Sequence, residues 1–202
     1  MILNKKQKGE TLIEVITALT ALVLAGVASV TVIISVMHSN AISKEYLIAQ
    51  NLAREGIEGV ISIRNTNWLK HPSDKKTKWL CIDPQDGECQ SVSEVEHYIL
   101  NRTKLSQGFY LEDKSPAVLD LSNGPDNDFK LILSSFGLVS SAKIYTHNTT
   151  GEDTNPEFHR MITFEKVDDS DEKYKVTVSV QWLNKSKPSK YELTSIITNY
   201  AK

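Results

Sequence analysis

A lone carboxylate stands at the mouth of the most apolar stretch of the chain. Glu14 follows Leu12 and Ile13 and precedes 23 uncharged positions, Val15–Met37. A carboxylate at the edge of hydrocarbon is costly and ordinarily has a partner or a task. The positive end of its own helix would also favour it there. Just upstream, Lys5, Lys6 and Lys8 lead into Gly9, whose missing side chain leaves the backbone open to close approach. Farther along, Cys81 and Cys89 bracket Ile82-Asp83-Pro84-Gln85-Asp86-Gly87-Glu88. On an exported domain they are expected to form a disulfide closing a turn, since Pro84 and Gly87 favour chain reversal. Metal binding is the alternative, but two thiolates without a nearby histidine pair make a poor zinc site.

Catalytic constellations are missing from the sequence. It has no phosphate-cradling glycine loop, metalloprotease helix motif or nucleophile elbow. His38, His71, His97, His147 and His159 are scattered, and none stands in a recognisable group with a cysteine, serine or acid. No enzyme activity, cofactor or metal is therefore expected. Asp120–Asp128 offers oxygen atoms without the spacing of a calcium-binding hand, and reads as a solvated turn. Trp68, Lys70, Lys75, Lys76, Lys78 and Trp79 interleave aromatic rings with cations, as binders of single-stranded nucleic acid do. A lysine-rich loop beside two packing tryptophans is the plainer account, so contact with DNA is a secondary expectation. Asn101-Arg-Thr, Asn148-Thr-Thr and Asn184-Lys-Ser match glycosylation sequons, a pattern that often arises by chance. A net charge of −2 over 202 residues gives no general attraction to polyanions.

These residues must be positioned by two kinds of element. Roughly 20 apolar helical residues cross a hydrocarbon core, so Val15–Met37 reads as a membrane span. Thr17, Thr20, Ser29, Thr31 and Ser35, its polar residues, can return their hydroxyls to carbonyls one turn back. Lys5, Lys6 and Lys8 lie before the span and Lys44 is the first cation after it, which places the N-terminus inside and residues 38–202 outside. The run is too long for the apolar region of an ordinary signal peptide. Beyond it, Ile42, Tyr46, Ala49, Leu52, Ala53, Ile57, Val60 and Ile61 recur at helical spacing. The helix is expected to end near Arg64, where Asn65, Thr66 and Asn67 supply stop chemistry. Four regions follow: a leader 1–9, a span 10–37, an amphipathic helix 38–65 and a head 66–202.

The head reads as strands. Tyr174–Trp182 alternates apolar with polar residues, Asn184–Pro188 reads as a turn, and Tyr191–Tyr200 returns as a partner. Met161–Val167, Tyr98–Leu100, Phe109–Leu111, Phe129–Leu133 and Leu138–Tyr145 are further candidates. The expected fold is α+β: a long N-terminal helix packed on an antiparallel sheet.

Lys8-Gly9-Glu10-Thr11-Leu12-Ile13-Glu14-Val15, preceded by Lys5 and Lys6, resembles the processing site of type IV prepilins and pseudopilins. The resemblance covers chiefly residues 5–40. It implies a pilin architecture and cleavage between Gly9 and Glu10 by a prepilin peptidase. It further implies N-methylation of Glu10, and a role in filament assembly for Glu14, the fifth mature residue. The implied partners are other pilin subunits, the prepilin peptidase, the pilus assembly platform and, before assembly, membrane lipid. Members usually open the mature chain with phenylalanine. Glu10 in its place, with the elaborate head, leans towards a minor subunit. The rival reading is a single-pass anchor whose outer head binds a ligand or partner without polymerising.

Overall fold

A computed structural model of the 202-residue chain describes residues 10–82, 89–94, 96–102, 108–123, 127–136, 139–147, 157–168, 172–184 and 187–200. Contacts divide it into two compact units, Met1–Glu45 and Tyr46–Lys202. One helix, α1 (Glu10–Lys70), contributes to both. In the first unit it is a run of apolar residues with exposed side chains.

In the second unit α1 packs on an antiparallel sheet, the α+β arrangement that the hydrophobic periodicity predicts. The strands are β1 (His97–Arg102), β2 (Phe109–Asp113), β3 (Lys130–Phe136), β4 (Val139–Thr146), β5 (Phe158–Lys166), β6 (Lys173–Asn184) and β7 (Lys187–Thr198). Strand β5 is the hub. One edge pairs with β6 along its whole length, from Phe158↔Trp182 to Lys166↔Tyr174. The other edge is shared: β1 takes it at Ile162 and Thr163, and β3 at Phe158 and His159. The sheet therefore forks into two hairpins, β1–β2 and β3–β4, each attached by two residue pairs.

The inner face of the sheet lies against α1. Ala49, Leu52, Ala53, Ile57, Val60 and Ile63 of the helix join Val176, Val178, Val180 and Trp182 of β6 in the main core. Tyr46 sets its ring edge-on to Trp182 at 5.0 Å. Two glycines let helix and sheet approach. A Cβ at Gly56 would lie 2.8 Å from Val178 Cγ1, and one at Gly59 would run into the Leu100 side chain. The opposite face of the sheet carries a smaller core. There Leu119, Leu121 and Phe129 gather with Ile99, Met161 and Leu183, and Gln181 donates Nε2–H to the Leu119 carbonyl at 3.1 Å.

Several boundaries differ from the sequence expectation, β5 for one beginning at Phe158 and not Met161, and two of them differ for a visible reason. The helix continues past Arg64 to Lys70 because the Thr66 hydroxyl and the Asn67 amide N–H groups find acceptors without breaking it. Thr66 bonds back to the Ser62 carbonyl at 2.8 Å. Asn67 donates its amide to the carbonyls of Trp79 (3.3 Å) and Cys81 (3.1 Å). Pro72 marks the actual limit, since the residue before a proline is pushed out of the helical region. Strand β7 also takes in Pro188, paired with Leu183. Among the described residues β7 pairs only with β6, and a proline lacking its N–H is tolerated on an edge strand.

Candidate functional site

Glu10 is the first described residue of α1, and Glu14 lies four residues further along it. Gly9 lies outside the described residues. The Glu14 carbonyl accepts a bond from Thr17 Oγ1 at 2.9 Å. Thr20, Ser29 and Thr31 close the same kind of bond onto Thr17, Ala25 and Ala28, at 2.9, 2.8 and 2.8 Å. Four of the span's five hydroxyls are thus held on its own backbone, and it presents a mainly apolar surface.

That surface is large. Its bulky apolar residues, from Leu12 to Met37, are each 52–70% exposed. Mean hydropathy reaches 2.4 in its most apolar window, with none of that window buried. Fully burying one such side chain is worth roughly 1.5–3 kcal/mol, so leaving a dozen or more in water would cost on the order of 20 kcal/mol. The helix is long and apolar enough to cross a membrane, consistent with a single-pass membrane protein.

In the second unit Cys81 and Cys89 stand at disulfide distance, with Cα atoms 5.1 Å apart. Their surroundings fix one end of the loop. Cys81 bridges to Ser91, Ile82 N–H donates to the Gln90 carbonyl at 2.8 Å, and Leu111 N–H donates to Ile82 at 3.0 Å. Non-reducing peptide mapping of protein recovered from outside the cell is expected to give one species linked through Cys81 and Cys89. Free thiols on both would contradict the bridge.

The aromatic residues of the lysine-rich loop are engaged in packing. Trp79 is 3% exposed and lies 5.9 Å from the Tyr174 ring. Trp68 meets Tyr200 edge-on at 4.7 Å, with the Arg64 guanidinium over both rings. Lys76 pairs with Glu172 at 3.6 Å. Asp120 accepts bonds from both the backbone and hydroxyl of Ser122, which hold its carboxyl below the usual range. Residues 124–126 of the same segment lie outside the described residues. Of the sequon asparagines, Asn101 is 4% exposed and donates its amide to Glu112 at 2.5 Å, so a glycan there would require unfolding. Asn184 ends β6, and Asn148 lies outside the described residues.

The sequence reading passed over the most deeply buried charge. Arg160 sits on the inner face of β5 at the fork, 1% exposed. Its guanidinium donates to the Leu52 carbonyl of α1 (3.2 Å), to Glu55 (3.3 Å) and to the Leu100 carbonyl of β1 (3.4 Å). Burial lowers its pKa, and the Glu55 carboxylate opposes that shift. The signal was present in the alternation of Phe158, Arg160, Ile162 and Phe164, which puts an arginine on the apolar side of a strand. Tyr98, also buried, has its hydroxyl pKa pushed up by desolvation and by its bond to Glu96.

No family model matches this chain, and no curated protein or solved structure does either.

Proposed function

We propose that this chain is a structural subunit of a type IV pilus or a related secretion filament, of the minor pilin or pseudopilin kind. In this reading it is made as a membrane-held precursor with its N-terminus inside and its head outside. A prepilin peptidase cuts after Gly9, and the exposed apolar helix then moves from lipid into a filament. One juxtaposition carries the proposal. The basic run Lys5–Gly9 stands in sequence directly before Glu10, and the helix described from Glu10 onward carries Glu14 and continues as an apolar span with exposed side chains. A membrane anchor alone has no need of the glycine or of the acid beside it.

Gly9→Val is expected to leave an uncut precursor, because a branched side chain blocks the approach of the peptidase to the peptide bond. Intact mass of wild type and variant, in a cell with a working prepilin peptidase, measures this. The wild type should lack residues 1–9 and the variant should retain them. A wild type that retains Met1 in such a cell would overturn the filament reading and leave the single-pass anchor.

A further inference from the structure

Among the described residues the β3–β4 hairpin shares two ladder pairs with β5, Lys130↔His159 and Leu131↔Phe158, beside the bond from Arg160 N–H to the Phe129 carbonyl and the contact of the Tyr145 and Phe158 rings. At that joint lies His147, the residue that follows β4. Its Nδ1 is 3.1 Å from the Lys130 carbonyl. A carbonyl can only accept, so the ring is the tautomer with its proton on Nδ1. The other nitrogen, Nε2, is shielded from solvent and has no hydrogen-bond partner among the described residues.

The charges around this ring are already matched. From β3, Lys130 pairs with Glu157 at 3.0 Å. From the chain after β2, Lys114 pairs with Glu112 at 2.6 Å, and Asp128 also acts on it. From β5, Arg160 pairs with Glu55 of α1 at 3.3 Å, and His159 lies beside them. Each of the three cations has its carboxylate, and the fourth acid, Asp128, acts on Lys114. A proton arriving on His147 must go to Nε2, where it makes a buried N–H without an acceptor. It also adds a charge near Arg160 and Lys114.

We propose that His147 makes the attachment of the β3–β4 hairpin acid-sensitive, so that protonation of its Nε2 releases the hairpin while β5–β6–β7 stays intact. This goes beyond the filament reading and holds whether or not the chain polymerises. Burial, with Arg160 next in importance, holds the ring well below the ordinary value of 6.5. The folded hairpin thus binds fewer protons than the released one. Its stability is complete above about pH 6.5 and falls as pH drops from there towards the depressed value. One proton taken up on release shifts the opening equilibrium by up to about tenfold per pH unit.

Hydrogen exchange of the full chain in detergent micelles tests this, as protection factors corrected for intrinsic rates between pH 7 and 5. Protection of the amides in 131–134 and 143–146 is expected to fall by up to about tenfold per unit below pH 6.5, with that of 176–180 unchanged. In His147→Gln the slope should vanish. Equal slopes in both proteins, no slope in the wild type, or parallel loss across β6 and β7 would each overturn the proposal. Should the variant fail to fold, the NMR titration of the His147 ring in the wild type decides. A midpoint well below 6.5 supports the hinge, and an ordinary midpoint overturns it.

Discussion

Glu14→Ala is expected to be inserted and cleaved normally, yet to enter filaments about tenfold less well than wild type at matched membrane levels. In a filament the apolar helices of many copies pack together away from water. A carboxylate enclosed there without a partner costs several kcal/mol, and a buried pair recovers this only with close geometry. Cleavage after Gly9 would create the partner, the α-amino group of Glu10. In the proposed filament Glu14 meets the Glu10 amine of a neighbouring subunit and selects its axial register. In lipid the same groups meet only within one chain or between loosely associated chains, so assembly gains the difference. Alanine removes the acid and leaves the amine enclosed alone, a loss that corresponds to at least a factor of ten for each 1.4 kcal/mol. Recovery with sheared filaments is the measurement. Equal incorporation of both proteins would exclude this role for Glu14, and absence of the wild type from filaments would favour the anchor.

The second large effect is expected inside the head. Arg160→Ala should lower the stability of the second unit by about 3–5 kcal/mol, from the cavity left in the core and the Leu100 carbonyl left without its donor. The reason is local topology. After Tyr98, β1 leaves β5, and the Leu100 carbonyl loses the strand partner it would otherwise have; the guanidinium takes that place. Arg160→Met refills the volume but leaves the carbonyl unpaired, for an expected loss of about 1–3 kcal/mol. Glu55→Gln keeps a hydrogen-bond partner but leaves the buried guanidinium without its counter-charge, for an expected loss of about 1–3 kcal/mol. Urea unfolding of the full chain in detergent, followed by tryptophan fluorescence, gives all three. An unchanged midpoint for Arg160→Ala would refute the account of the fork.

Much of this fold was legible in the sequence because strand and helix periods differ. The alternation Tyr174, Val176, Val178, Val180, Trp182 marks β6, and the spacing of Ala49, Leu52, Ala53, Ile57 and Val60 marks the helical face that meets it. The helix end was misplaced because Asn65-Thr66-Asn67 reads as a stop only if those side chains turn on their own backbone. Asn67 instead reaches the chain near Cys81, a partner that sequence spacing does not reveal. The fork was not legible either, since which edge of β5 each hairpin takes is a long-range choice. Glu14 stood out because a charge beside 23 uncharged positions is visible by inspection. His147 did not, because its importance comes from Lys130, Lys114 and Arg160, which belong to three different segments.

The close approach at Gly56 and Gly59 has a consequence in time. The helix emerges early in synthesis, but part of its cover comes from β6, with Trp182 against Tyr46 and Val178 against Gly56. At about 5–20 residues per second, more than a hundred residues take on the order of 10 s to appear. Until then Ala49, Leu52, Ala53, Ile57 and Val60 form an apolar stripe short of that cover, kept apart from it by a long loop that must close before any contact rewards it. Gly56 and Gly59 weaken that stripe as a free-standing helix, by roughly 1 kcal/mol each relative to alanine. The element that leads the head out is thus among the last to become secure, and a chain cut short before residue 174 would lack that cover permanently.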